Sequence, residues 1–203
     1  MILAAALGAF FFAAAGAVGT LLGLSFADRI DSLPDGPPQQ RAPIAVLLVA
    51  CAVIGAFIAA HGNSPAQIVV LAIVCLALAA IWIVDARRGI VPDAFTLGPL
   101  ALILLFALYQ HHWGNFIAAI IPLTPFAAAA ALSKGRGMGW GDVKLVALGG
   151  AVLGVQWAVA ACIAACLAAV GFSYAAGRRR GPIAFAPFLT AAIGAAIPIA
   201  ALH

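Results

Sequence analysis

The chain holds six aspartates and no glutamate, so its carboxylate chemistry is confined to Asp28, Asp31, Asp35, Asp85, Asp93 and Asp142. Asp28, Asp31 and Asp35 share one polar stretch and read as solvated loop charge. Asp85 and Asp142 differ, because each stands where a long apolar run meets a polar turn. A carboxylate at the edge of hydrocarbon is costly unless it is paired, hydrogen-bonded or used. Asp85 closes Ile83-Val-Asp85 and is followed by Arg87-Arg88-Gly89 and then Ile90-Val-Pro92-Asp93. Asp142 closes Gly139-Trp-Gly141-Asp142 and is followed by Val-Lys144-Leu145. Singly, each has a plainer role: Asp85 as a helix-end charge paired with Arg87 or Arg88, and Asp142 as a helix N-cap. As a pair they say more. Two carboxyl groups that converge can share one proton, activate a water and protonate a leaving amine.

The elements that must bring them together are legible from hydropathy. Of 203 residues, 66% are hydrophobic and only 8% charged, more apolar surface than a soluble domain of this size could hide. Apolar segments run over Ile2–Ala27, Pro43–Ala60, Ala66–Val84, Ala94–Gln110, Asn115–Leu132, Val143–Gly154, Trp157–Ala176 and Pro182–Leu202. Most are near the ~20 residues that cross a bilayer as a helix. Lipid offers no water to an open strand edge, so the fold class expected is all-α: a polytopic membrane bundle of about eight segments, forming one domain over residues 1–203. Turn signals separate the segments, as in Pro34-Asp-Gly-Pro-Pro38 and His61-Gly-Asn-Ser-Pro65.

Charge orients the bundle. Every Lys and Arg (Arg29, Arg41, Arg87, Arg88, Lys134, Arg136, Lys144, Arg178, Arg179 and Arg180) falls in the odd-numbered connections. The positive-inside rule then places those connections in the cytoplasm and both termini outside. A single span over residues 143–177 would put Lys144 and Arg178 on opposite faces, so two segments are expected there. The net charge of +4 is thereby accounted for by topology, and nothing indicates nucleic-acid binding. Met1–Ala15 lacks a basic n-region and reads as a retained span. Cys51, Cys75, Cys162 and Cys166 lie in apolar segments without a C-x-x-C pair and suit small apolar packing. His61, His111, His112 and His203 fall on the face opposite the acids, and adjacent His111 and His112 point apart on a helix. No metal or cofactor site is expected.

With these residues in place, the chain resembles the type IV prepilin peptidases, membrane aspartic peptidases of the Gly-x-Gly-Asp class. The likeness rests on Asp85 with Ile90-Val-Pro92-Asp93, and on Gly139-Trp-Gly141-Asp142-Val-Lys144-Leu145. It extends to Phe185-Ala-Pro187-Phe-Leu189, where Ala186 stands for the family's usual Gly, and to a degenerate first-helix motif at Gly19-Thr-Leu-Leu-Gly with Arg29 and Pro34. The resemblance implies Asp85 and Asp142 as catalytic residues, with Pro92, Gly139, Gly141 and Lys144 supporting the motifs. It implies prepilin or pilin-like precursors as substrates, cut behind a short basic leader and ahead of a long apolar helix. It also implies a bacterial inner membrane with the site facing the cytoplasm. Long members of the family carry a cysteine-containing cytosolic domain after the first helix. Here that place holds only Asp28–Arg41 without cysteine, which removes the basis for a structural zinc and for N-methyltransferase activity.

Roles follow as expectations. Asp85 ends a helix, whose negative dipole end favours the protonated acid, and Asp142 opens one, whose positive end favours the ionised base. Gly139 and Gly141 are expected to supply positive φ and close approach, and backbone N–H groups there to face a tetrahedral oxyanion. Lys144 either helps keep Asp142 ionised or anchors the helix at the interface. Alternatives are a transporter or proton-coupled channel built on the interfacial acids, a presenilin-like intramembrane protease, and an inactive scaffold for pilus assembly. Oligomeric state is not readable from the residues.

Overall fold

The computed structural model describes residues 2–29, 44–133, 138–175 and 184–201. Within them every regular element is a helix: α1 (Ile2–Ala27), α2 (Ile44–Ala60), α3 (Pro65–Arg88), α4 (Asp93–Tyr109), α5 (Gly114–Leu132), α6 (Trp140–Ala175) and α7 (Ala186–Ala200). By length and composition α1, α3, α5 and α6 can each cross a membrane, while α2, α4 and α7 are shorter apolar helices. Large apolar side chains such as Phe10, Leu21, Val49, Ile120 and Leu167 face outward, as a lipid-facing surface requires. The connections holding Asp31, Asp35, Arg41, Lys134, Arg136 and Arg178–Arg180 lie outside the described residues, as does His203.

Glycine sets the closest contacts, as expected where van der Waals packing rather than hydrophobic burial joins helices. α1 runs antiparallel to α2, with Gly8 against the Gly55 backbone and Gly16 against Cys51. It runs parallel to α3, where Gly19 and Gly23 press on the carbonyls of Leu76 and Ala80. α5 meets α6 at Gly150, which lies against the Ala118 backbone. Beside that crossing, Asn115 Nδ2 donates to the Ala151 carbonyl at 2.9 Å. The Cys51 and Cys75 thiols also meet by hydrogen bond between α2 and α3, a contact that sequence spacing did not suggest.

The sixth and seventh expected segments form one element, α6, broken at Gly154 (φ 78°, ψ 167°). An unbroken helix of 36 residues would be ~54 Å long, with its ends at opposite sides of the bundle. Instead, both ends of α6 lie beside the start of α7. Asp142 is in electrostatic range of Asp85, which bonds the Ala186 backbone, and the Phe172 ring sits 5.5 Å from that of Phe188. The chain therefore reverses direction at Gly154, whose left-handed φ a side chain would resist. The division of this region at Gly154 agrees with the sequence. Its start does not: helix begins at Trp140, three residues before the expected Val143, so Asp142 lies inside the first turn.

Candidate active site

Asp85 owes its place to two capping devices on α3. At the start, Ser64 and Gln67 form a reciprocal capping box with Pro65 behind it. At the end, Gly89 adopts φ 68° and returns its N–H to the Asp85 carbonyl at 2.8 Å. The helix thus runs one turn past the expected Val84, and Asp85 sits in its last turn, only 5% exposed. Residues 89–92 then turn the chain, and the buried Pro92 precedes Asp93 at the first position of α4, one residue before the expected Ala94.

Asp142 is held differently. It is the third residue of α6, half-buried, and its carboxylate accepts the Gly139 backbone N–H. That is the acid's arm of a capping box and not the N-cap role that Asp142 alone suggested. The same bond engages the Gly139 N–H with the Asp142 carboxylate.

The two glycines turn out to have unlike reasons. The positive-φ glycines among the described residues are Gly62, Gly89 and Gly154, so neither Gly139 nor Gly141 serves that purpose. Gly141 is required by approach: a Cβ there would lie 2.6 Å from Val91 Cβ. A Cβ on Gly139 would meet nothing closer than Asp142 Oδ2 at 3.6 Å, an ordinary contact. The turn after Asp85 and the turn before Asp142 therefore pack directly on one another, Val91 on Gly141.

A third segment completes the site. The backbone of Ala186, opening α7, hydrogen-bonds the Asp85 carboxylate. Asp85 Oδ2 is buried and has no hydrogen-bond partner. A carboxyl oxygen in that state is costly unless protonated or met by a ligand. Ala186 was noticed in the sequence only as part of Phe185-Ala-Pro187. Its amide is available because Ala186 is the first residue of α7, where a backbone N–H has no intrahelical acceptor.

Arg87, Arg88 and Lys144 have partners other than the two acids. Arg87 pairs with Asp28 at 3.5 Å, and Arg88 Nε donates to the Ala27 carbonyl at 2.6 Å, so both tie the end of α3 to the end of α1. Neither is the partner expected for Asp85. Lys144 Nζ reaches Asp93 Oδ1 at 2.6 Å, so its ion pair is with Asp93, not with Asp142. His61 and His112 lie at the other end of the bundle, with His112 lining a cavity of about 200 Å³ alongside Asn63, Gln67 and Asn115. Among the described residues no three His, Cys, Asp or Glu side chains converge as metal ligands.

Two carboxyls from distant parts of the chain thus share one end of a helix bundle, each steadied by one backbone N–H and one of them with a free buried oxygen. A search of curated proteins and a search of solved structures each found no match. A family model described as the type IV leader peptidase family does match, over residues 69–174. That stretch is more than half of the chain and contains both acidic turns, with Asp93 and Lys144 that join them, and the chain belongs to the type IV leader peptidase family.

Proposed function

We propose that this protein is a membrane aspartic endopeptidase that removes the short basic leader from pilin-like precursors, with Asp85 and Asp142 as its catalytic pair. One observation carries the proposal: Asp85, buried with an unpartnered oxygen, lies in electrostatic range of Asp142. In the proposed cycle Asp142 is ionised and removes a proton from water as that water attacks the scissile carbonyl. Asp85 holds the shared proton on its free oxygen, bonds the carbonyl oxygen and stabilises the charge that develops there. The proton from water then passes to the leaving amine. Helix ends support the division, since Asp142 lies in the first turn of α6 and Asp85 in the last turn of α3. The N-terminus of α7 acts the other way on Asp85, and burial of Asp85 outweighs it.

The same end of the bundle carries Arg29, Arg87, Arg88 and Lys144, which supports a cytoplasmic position by the positive-inside rule. On this assignment the eight helical runs are eight spans of one membrane domain, with both termini outside the cytoplasm of a bacterial inner membrane. An apolar groove of about 430 Å³ between α2, α3 and α7 is lined by Val46, Leu78, Trp82 and Gly194. Trp82 lies one turn before Asp85, so the groove suits the apolar helix that follows the cleavage point of such a precursor. A transport path is less well supported, because the buried Thr20, Thr96 and Thr190 return their hydroxyls to carbonyls of their own helices.

The test is to co-express a pilin-like precursor with wild type, Asp85→Ala and Asp142→Ala and to follow its leader on a gel. Processing that survives either substitution rejects the pair. A second expectation concerns the contact between the acidic turns. Gly141→Ala should slow cleavage roughly 10- to 100-fold by pushing the turn that carries Asp142 off Val91, since small misplacements of catalytic groups carry such costs. Val91→Ala in the same chain should recover part of the rate. No recovery would mean that Val91 is not the obstacle.

A further inference from the structure

Resting on the catalytic pair proposed above, we infer that Asp93 and Lys144 form a positioning strut that sets the separation of Asp85 and Asp142. The two catalytic candidates sit on different helices, and no described hydrogen bond links one carboxyl to the other. Their relative position must come from what joins the turns that carry them. Two contacts do so. Val91 fills the space beside the Cβ-less Gly141. Asp93 and Lys144 close the same junction with an ion pair at 2.6 Å between the first residue of α4 and the second turn of α6.

The geometry makes this pair a lever on both acids. Asp93 is separated from Asp85 by the last turn of α3 and the four residues 89–92, a short link fixed by Gly89 and Pro92. Lys144 is two residues beyond Asp142 on a continuous helix. A movement between the Asp93 and Lys144 side chains is therefore passed to Asp85 and Asp142 with little slack. Lys144 is about one-third exposed and Asp93 well over half, and an ion pair so placed adds little to folding stability. Its removal should appear in turnover, where a displacement near 1 Å costs about 10²-fold, and not in the amount of folded protein. Neither residue need touch substrate, so both are positioning residues.

The test is a charge swap in the membrane-embedded full chain, with a pilin-like precursor as the probe. Asp93→Lys and Lys144→Asp should each lower kcat about 10- to 100-fold with KM little changed, and each should alter the pH profile, because the coupling of two acids depends on their distance. The double variant, Asp93→Lys with Lys144→Asp, should regain most of the loss. Recovery will be incomplete, since a Lys at the first position of α4 faces the positive end of that helix. Lys144→Arg should stay near wild type. If the single variants turn over like wild type, or the double variant is as slow as either single at equal membrane levels, there is no strut. Asp85→Asn in the same assay separates the two proposals. Its inactivity upholds the catalytic pair whatever the swap does, whereas wild-type cleavage by Asp85→Asn rejects the pair and the strut together.

Discussion

Asp85→Asn and Asp142→Asn are each expected to lower precursor cleavage by about 10²–10⁴-fold, the span typical of a lost general acid or base. Asparagine keeps the size of the side chain and can still accept the Gly139 or Ala186 N–H, so the fold should persist and the loss should lie in the chemical step. Two groups that act through one shared proton are not additive, and the double variant should be scarcely slower than either single one. Single-turnover cleavage in membranes, normalised to enzyme present, measures all three. The pH dependence should be bell-shaped. Activity falls on the acid side as the base takes a proton and on the alkaline side as the acid loses one. In either Asn variant the residual activity should lose the limb that belongs to the missing group. Independent, multiplicative losses in the double variant would show that the carboxyls do not work as a unit.

Gly150→Ala is expected to be among the most damaging small changes outside the site. In an exposed helix interior, Gly to Ala is favourable by about 1 kcal/mol. At Gly150 the added methyl would be driven into the Ala118 carbonyl, which is backbone and cannot rotate away. α5 and α6 must then separate at their closest point, stretching the Asn115 bond to Ala151. Overpacking of this kind costs about 1–3 kcal/mol, and the sign is set by the clash. Gly171→Ala is the control, because a Cβ there meets nothing within 4 Å and the residue is exposed. Thermal unfolding in detergent should show Gly150→Ala with a lower midpoint than wild type and Gly171→Ala without such a fall. Equal midpoints for the two variants would remove the α5–α6 contact as a determinant of stability.

Composition and charge determined much of this protein without any coordinates. Apolar runs must become helices where backbone groups have only each other, so the all-helical architecture follows from hydropathy. The division of residues 143–177 into two segments follows from the positive-inside rule. Asp85 and Asp142 stood out because a carboxylate at the end of an apolar run is anomalous wherever the chain folds. The partners of the charges did not stand out. Lys144 is two residues from Asp142 yet pairs with Asp93, 51 positions away. Arg87 and Arg88 adjoin Asp85 in sequence yet reach α1. Helical neighbours in sequence point to different faces, so ion pairing depends on which helices pack together. The two glycines of the second acidic turn were equivalent by pattern, and only the approach of Val91 separated them. The amide of Ala186 is likewise invisible in sequence, because any residue has one and only the packing of α7 aims it at Asp85. The pair of aspartates was therefore a property of the chain. What surrounds and spaces them was decided by packing, since a side chain's type is local and its contacts are not.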